Sequence, residues 1–475
     1  MKRTKSQRLI ALLLALTFLL SGAVLTVSAV GESTSGSTSV TDKTLAELKE
    51  ELNAITYDGY IRKEAFENAV VGSSVIVIDA TQYDAENTDA DVKVEEYDGV
   101  TAIYTPSDGS VAWKVNVPEN SRYTIVVEYY PIAAKTSAVE RVLRINGEVP
   151  FSEARYITFS KLWAAQSICT YTVKEGENAQ TIADEAAAVG IKATVEQKDT
   201  VDKKGKPISV TNVVMVYPEV VSNKVNEFIN KYELRFFRTD MDDNELRASL
   251  TQAPKWTEYS LQDVDGFYSA PFEFLFDKGE NILSFEAKNE PMAIKSIKLV
   301  PAEEYLSYAE YIAKFSGEKK GESTLLVEAE YITGSTSQTI YPVEDRTDAA
   351  NSPSSTKKTL LNTIGGEKWQ ISGQAVTYNF SVDTDGLYSI AVRYKQSFLD
   401  GMSVSREVSL FSDSSVAVGE KGYYHGVPFF EATKATFEYG KDWQVKKLGS
   451  RDPATNEAVD FEFYLKAGVT YTMQL

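Results

Sequence analysis

The sequence predicts a mainly β protein: two jelly-roll β-sandwich domains in tandem, each preceded by a short helix, with a small α/β insertion in the first. Two observations support this fold class. Runs of alternating apolar and polar residues, rich in Val, Ile and Tyr, are separated by turn residues, as in antiparallel strands. The pattern also occurs twice along the chain, and short strands at this spacing are typical of sandwiches and jelly rolls.

The alternation is clear where each copy begins. In the first copy Val115 and Val117 lie on one face of an extended strand and Lys114 on the other. A turn, at 118–121 in the first copy and 383–386 in the second, precedes the next alternating run.

A constant offset relates the two copies and is interrupted once, by a longer loop in the second copy. A shared offset over many positions is hard to obtain by chance, so we infer internal duplication of one domain. The corresponding positions are Trp113 and Tyr378, Tyr123 and Tyr388, Arg141 and Arg406, then Pro150-Phe151 and Pro428-Phe429, Glu153-Ala154 and Glu431-Ala432, and Phe159 and Phe437.

Residues 1–29 have the features of a secretory signal peptide, because four cations near the N-terminus precede an apolar run and a small-residue cleavage site. The alternative is a membrane anchor, which the short apolar core disfavours. A Gly/Ser/Thr-rich flexible linker is predicted over 30–43. We therefore expect a secreted, extracellular protein.

Charge and cysteine usage restrict the classes of partner and the source of stability. The formal net charge is −19, and it becomes about −23 without the signal peptide. This acidity argues against nucleic acid or anionic surfaces as partners. Cys169 is the single cysteine, so no internal disulfide can form.

Helical patterns precede both sandwiches. A helical lead-in is predicted over 44–73 and a helical linker over 301–324, and related phrases at 57–63 and 308–314 occur in them. We expect the aromatic residues of these phrases to dock each helix on its neighbouring sheet.

The first sandwich is predicted over 74–300 and the second over 325–475. The first is longer because of a segment at about 164–232 that contains both helical and strand patterns. We interpret this segment as an α/β insertion in a sandwich loop.

The copies also predict that the second sandwich lacks its last strand. Residues 272–274 match 461–463, and Glu286 then matches Leu475. The first copy continues over fourteen further residues, 287–300, that include a strand. We therefore expect an unpaired sheet edge, and either a natural chain that continues past Leu475 or a truncated assembly.

Catalytic candidates are few. His425 is the single histidine, in a loop-like phrase, so it is interpreted as a surface residue, and a metal site built of several histidines is excluded. Ser-His or Cys-His catalysis would require this one residue. Carboxylates are abundant, but no spacing singles out a glycosidase pair. We expect no enzymatic activity and no catalytic residue.

The stretch 341–374 is rich in Gly, Pro and Ser and contains groups that suit sugar recognition. An aromatic ring stacks on the C–H face of a sugar while planar polar groups bond its hydroxyls, and sandwich loops bring such groups together. The alternative is that Trp369 fills the end of the core. The candidate carbohydrate-binding residues are Tyr341, Asp345, Arg346, Asn362, Trp369 and Gln374.

The second domain opens with Val327-Glu328-Ala329-Glu330-Tyr331, which resembles the first strand of galactose-binding-like carbohydrate-binding modules. In those modules two alternating carboxylates hold a structural calcium ion, and residues i and i+2 of a strand do share a face. The resemblance implies calcium on Glu328 and Glu330. The alternative is a solvated strand face. Thr81 replaces the second carboxylate in the first domain, so no calcium is expected there.

Longer phrases, at 137–163, 265–292 and 341–374, resemble the N-terminal region of large clostridial-type extracellular solute-binding proteins. In that family two jelly-roll modules precede a periplasmic-binding-type domain that serves a carbohydrate ABC importer. The resemblance implies capture of an extracellular glycan or oligosaccharide at a Gram-positive-type cell surface, with the importer permease as a partner through a further C-terminal domain.

The function expected from the sequence is non-catalytic carbohydrate binding as part of a sugar-uptake system. One alternative is a structural or interaction module without a sugar site, and another is a non-catalytic fragment of a glycoside hydrolase. Joint exposure of Trp369 and Tyr341 on a concave loop face would favour the sugar site over the interaction module.

Overall fold

The computed structural model describes residues 55–135, 138–201, 205–268, 270–302, 306–398, 400–412, 433–451, 455 and 457–475. The predicted signal peptide, the linker and the first part of the helical lead-in lie outside these residues, as do His425 and the repeat positions at 428–432. In this described part of the chain, no helix is long and apolar enough to cross a membrane.

The helices are short, and most begin after a Thr, Asn or Ser whose side chain accepts an N–H of the first turn. Single 3₁₀ turns occur at Ser152–Arg155 and Gly366–Lys368. The helices are α1 (Tyr57–Ile61), α2 (Glu64–Glu67), α3 (Ala179–Ala188), α4 (Asn223–Lys231) and α5 (Tyr308–Ala313).

The strands fall into four groups along the chain. The first sandwich begins with β1 (Val70–Val71), β2 (Ile76–Asp79), β3 (Lys93–Tyr97), β4 (Val100–Thr105), β5 (Ser110–Val117), β6 (Ser121–Pro131), β7 (Val139–Ile145) and β8 (Ile157–Phe159). The inserted segment has β9 (Trp163–Ala164), β10 (Ile168–Thr172), β11 (Ala193–Val201), β12 (Pro207–Val216), β13 (Arg238–Thr239), β14 (Glu245–Leu246) and β15 (Thr251–Gln252). The chain returns with β16 (Thr257–Ser260), β17 (Glu273–Phe276), β18 (Gly279–Asn289) and β19 (Met292–Pro301).

The fourth group belongs to the second sandwich. Its strands are β20 (Gly334–Ser335), β21 (Pro342–Val343), β22 (Thr363–Ile364), β23 (Val376–Phe380), β24 (Gly386–Ser389), β25 (Ala391–Tyr394), β26 (Val404–Ser412), β27 (Thr433–Phe437), β28 (Gln444–Lys447), β29 (Gly449–Arg451), β30 (Ala458–Asp460), β31 (Glu462–Leu465) and β32 (Tyr471–Gln474).

Two sheets share the core of the first sandwich. One has the order β5–β18–β7–β8, and the other is built around β6, which pairs with β1, β16, β17 and β19. Inward residues alternate with outward ones, so one core forms between the sheets. Its fully buried side chains include Trp113, Tyr123, Phe151, Phe159 and Phe274. The mainly β sandwich predicted from the alternation is thus confirmed.

β19 holds the second of these sheets together. It pairs with β6 from Met292 opposite Pro131 to Pro301 opposite Tyr123, and it also pairs with β2 and β4. Its inward side chains are fully buried, and they are those of Met292, Ile294, Ile297 and Leu299.

The helical phrases dock on their sheets through tyrosine hydroxyls. In the first sandwich Tyr57 Oη and Tyr60 Oη accept the N–H groups of Glu273 (2.9 Å) and Leu275 (2.8 Å). In the second, Tyr308 Oη and Tyr311 Oη accept those of Glu462 and Tyr464, both at 2.9 Å. The hydroxyls therefore satisfy backbone donors along the edges of β17 and β31.

The inserted segment forms its own sheet, in the order β10–β12–β11, and packs it against α3 and α4. These elements match the predicted helices and strands. The segment runs past 232, however, because β13 to β15 follow α4 before the chain returns at β16. β9 pairs with β15 and, at Trp163, with β20, so the insertion docks on the second sandwich.

The second sandwich repeats most of the first. The order β23–β32–β26–β27 corresponds to β5–β18–β7–β8, and β24 pairs with β31 and β25 with β28, as β6 pairs with β17 and β16. Its core residues include Phe380, Leu410, Phe463 and Tyr471.

The prediction of a strand at Val327–Tyr331 was wrong, because no strand forms over 322–331. The matching strand of the first sandwich, β2, is held by β19. No described strand occupies the position of β19 in the second sandwich. The backbone of this segment therefore has no neighbouring strand with which to form a ladder.

We predict that Tyr60→Phe and Tyr311→Phe each lower the free energy of unfolding by about 1–3 kcal/mol, because each leaves a backbone N–H without its acceptor. Urea denaturation of the full chain measures this. The control is Tyr156→Phe, at a side chain that is 64% exposed, where a change below about 0.5 kcal/mol is expected. Equal effects of all three substitutions would contradict the docking role.

Candidate functional site

A cleft of about 1480 Å³ opens into the second sandwich. One wall is the segment 323–330, and the other is the edge 387–396 formed by β24 and β25. Core side chains, including Phe380, Val382 and Met473, form the floor. We call the space between the two walls the slot.

The walls of the slot stand where β2 and β6 stand in the first sandwich, because matching hydrogen bonds hold both pairs. The backbone N–H of Gly72 donates to Arg122 O (3.1 Å) and that of Gly321 to Leu387 O (2.9 Å). Trp113 Nε1 donates to Ala80 O and Tyr378 Oη donates to Ala329 O, both at 2.9 Å. The slot is therefore the position that β19 fills in the first sandwich.

Trp369, Arg406 and Asn362 all line the cleft, and we call these three residues the mouth. The Arg406 guanidinium lies 4.1 Å from the Trp369 ring centroid, and Arg406 Nη2 donates to Trp369 O (2.9 Å). Half-buried Trp369 also packs against the small apolar cluster around Ile340 and Val376. Trp369 therefore both closes the core and lines the cleft.

The matching arginine of the first sandwich, Arg141, has a different environment. It is 1% exposed and donates to the carbonyl oxygens of Glu140, Pro106, Asn289 and Glu290 and to Thr105 Oγ1. The side chain of Arg406 has a single hydrogen bond to the described residues, the one to Trp369. Burial lowers the pKa of both arginines, yet Arg406 keeps N–H donors that no described residue uses.

The two amides predicted to bind sugar are engaged within their own loops. Asn362 accepts from Asp345 N (2.9 Å) and donates to Asp345 O (3.0 Å) and Pro353 O (2.8 Å). Gln374 holds Trp369 in place within its loop. Its side-chain oxygen accepts from Ile371 N (3.0 Å), and its backbone oxygen accepts from Trp369 Nε1 (3.0 Å). These amides shape the loops.

The other predicted sugar-binding residues do not join Trp369 in the cleft lining. The Tyr341 ring lies 3.8 Å from the Arg247 guanidinium, and exposed Arg346 pairs with Glu344 (2.6 Å). Burial acts to raise the pKa of Asp345, but hydrogen bonds from Thr347 lower it below its usual value. The structure therefore places Trp369 and Asn362 in the lining of the cleft and leaves Tyr341, Asp345, Arg346 and Gln374 out of it.

Arg393 and Trp443 line the cleft and were missed from the sequence. Arg393 Nη2 lies 3.0 Å from Asp348 Oδ2, and its guanidinium lies 5.3 Å from the Trp443 ring. Comparison of the two copies could have singled out Arg393, because it replaces Glu128 of the matching strand and reverses the charge at that position.

Glu330 belongs to a buried ion cluster between the insertion and the second sandwich. Arg235 makes two 2.9 Å bonds to Glu245 and one of 3.1 Å to Glu330, whose side chain is 1% exposed. Leu361 N donates to Glu245 Oε2 (2.7 Å). Burial, together with the charge of Glu328, raises the pKa of Glu330 to about 7, and burial also raises the pKa of Glu328.

These surroundings do not fit a calcium site at Glu328 and Glu330. The two residues do not lie on a strand, and the Arg235 guanidinium occupies the position at Glu330 that a cation would need. The described residues contain no group of three or more His, Cys, Asp or Glu side chains that could hold a metal ion.

No family model and no curated protein matches the chain. Among solved structures, a family 35 carbohydrate-binding module from Clostridium thermocellum has a TM-score of 0.22 and 10% identity, over 48% of this chain and 100% of the module. A Podospora anserina mannanase with a module of that family scores 0.20 at 8% identity, and the catalytic domain of an α-1,3-glucanase 0.22 at 9%. This chain covers 36% and 33% of those two chains. Similarities at this level carry no inference about its function.

We predict that stability depends on pH through Glu330. A folded-state pKa of about 7, raised from 4.5, means that the folded protein holds a proton that the unfolded chain releases. This stabilisation is complete below about pH 4.5 and is lost as the pH rises through 7.

Between pH 5 and 8 the free energy of unfolding should therefore fall relative to that of Glu330→Gln, by at most about 3 kcal/mol. Urea denaturation at several pH values measures the difference, with exposed Glu322→Gln as the control. Parallel pH profiles for the original chain and Glu330→Gln would contradict the assignment.

Proposed function

We propose that the chain is a non-catalytic carbohydrate-binding protein that acts outside the cell, with the mouth of the second-sandwich cleft as its glycan site. The observation that carries the proposal is the pairing of Trp369 and Arg406 at an open, concave part of the sandwich. Concave sites with an aromatic side chain and a few polar groups suit small polar ligands.

The chemistry of the mouth suits sugar hydroxyls. An indole offers apolar surface to sugar C–H groups, and the N–H groups of Arg406 that no described residue uses can donate to hydroxyl oxygens. Asn362 contributes by holding the loop, since its amide bonds to Asp345 and Pro353.

Binding rather than hydrolysis is proposed because the cleft carboxylate whose pKa would suit a general acid is inaccessible to a substrate. Glu330 is the cleft carboxylate whose pKa rises to about 7, but its side chain is nearly inaccessible and is bonded to Arg235. A glycosidase acid must reach the glycosidic oxygen of its substrate.

The proposed cellular context rests on the sequence. The predicted signal peptide and the resemblance to extracellular solute-binding proteins support a role in sugar uptake at the surface of a Gram-positive-type cell. In that setting, contact with an importer permease would be made by a further domain.

The test is a glycan array with the purified full chain, followed by calorimetric titration of the best ligand. Arg406→Gln should weaken binding by about 10- to 100-fold, as expected for the loss of hydrogen bonds from a charged donor. Arg406 is a better probe than Trp369, because truncation of Trp369 also removes core contacts.

The matched control is Arg346→Gln, at an exposed arginine outside the cleft lining, which should leave the affinity unchanged. Absence of any glycan ligand, or equal losses from the two substitutions, would refute the site. In that case the interaction-module alternative would be preferred.

A further inference from the structure

We propose that the slot is a docking site for an extended polypeptide strand, which pairs antiparallel with the edge 388–396 and completes the second sandwich as β19 completes the first. The donor is a polypeptide segment that the described residues do not supply. This inference is independent of the glycan proposal, because it concerns the slot and not the mouth.

The first argument is the burial of matching side chains. Four inward residues of β6 are at most 2% exposed, and they are Tyr123, Ile125, Val127 and Tyr129. Those at the matching positions are only half-buried, and they are Tyr388, Ile390, Val392 and Tyr394. A row of apolar side chains built for a core is thus left partly open to the cleft, and covering it would be favourable.

The second argument is the backbone of the edge. On one side of this edge, β31 pairs with β24 and β28 pairs with β25. On the other side Lys320 forms a single parallel bridge to Leu387, where β1 forms a two-residue parallel ladder with β6 in the first sandwich. Beyond that bridge the first sandwich pairs β6 with β19 over residues 123–131, which match 388–396. No described strand pairs there in the second sandwich. Such an edge is a template for strand addition.

These features favour a strand over other occupants. Backbone groups at regular spacing beside an apolar floor match an extended peptide, whereas a glycan would leave the floor without apolar cover. A second copy cannot supply its own β19, which is buried and paired within its first sandwich.

Charge specifies the donor further. In the first sandwich Lys295 Nζ of β19 lies 2.7 Å from Glu128 Oε1 of β6. Arg393 stands at the place of Glu128, so the charge at this position is reversed, and its guanidinium is partly exposed at the edge beside Asp348. A donor should therefore carry a carboxylate at the position of Lys295 and apolar residues at the inward positions of β19.

The experiment uses the full chain and labelled ten-residue peptides with the sequence of Met292–Pro301. Fluorescence anisotropy should show that the Lys295→Glu peptide binds roughly three- to fivefold more tightly than the unchanged peptide. The Arg393→Glu chain should reverse this order. A peptide with Ile297→Asp, which puts a charge at an inward position, should not bind.

Reversal of the preference together with failure of the Ile297→Asp peptide would establish the site. Absence of saturable binding, equal binding of all peptides, or a stable dimer in ultracentrifugation that excludes the peptide would overturn it. Failure of the glycan proposal remains distinguishable. The test peptide begins at Met292 and lacks the carbonyl oxygens of Asn289 and Glu290 that bind Arg141, so Arg406→Gln should keep peptide binding. Arg393→Glu should keep glycan binding.

Discussion

Pairing between β6 and β19 is the interaction on which the first sandwich depends. Along that ladder β19 also holds β2 and β4, and its inward side chains cover the core between the sheets. The second sandwich has the same walls without a described strand between them. Several of its features follow from this one difference: the segment 325–331 without strand structure, the half-buried tyrosines of β24 and β25, and the stacking of Arg406 on Trp369.

The inserted segment supplies part of the missing support. Tyr331, which follows the wall of the slot, packs between Tyr217 and Phe237 of the insertion, and its hydroxyl accepts from Phe236 N (3.2 Å). Arg235 adds the ion cluster with Glu330. A buried cluster of this kind is costly to break, because each remaining partner would be an unpaired buried charge. The insertion therefore fixes one end of a wall that has no strand neighbour.

The sequence predicted the repeated architecture well, since alternation and a constant offset are local signals that survive without a structure. The helices of the insertion were predicted from their helical residue pattern, which is also a local signal. The partners of Glu330 were not predictable, because Arg235 lies 95 residues away in an inserted segment. Nor could the sequence show that the side-chain amides of Asn362 and Gln374 form hydrogen bonds to the backbone of the loops around them. Val327–Tyr331 has a strand-like pattern, but a strand needs a neighbour, and the pattern of one segment does not show whether it has one. The comparison of the two copies did predict that the last strand is missing, and no described strand takes that place.

The two environments of the repeated arginine have a thermodynamic consequence. Arg141 is held by carbonyl oxygens that include those of Asn289 and Glu290, between β18 and β19, whereas Arg406 rests on Trp369. A polypeptide that entered the slot and presented carbonyl oxygens in the same place would compete with Trp369 for Arg406. Occupancy of the slot and of the mouth would then be linked, and by reciprocity each ligand would change the affinity of the other by the same factor.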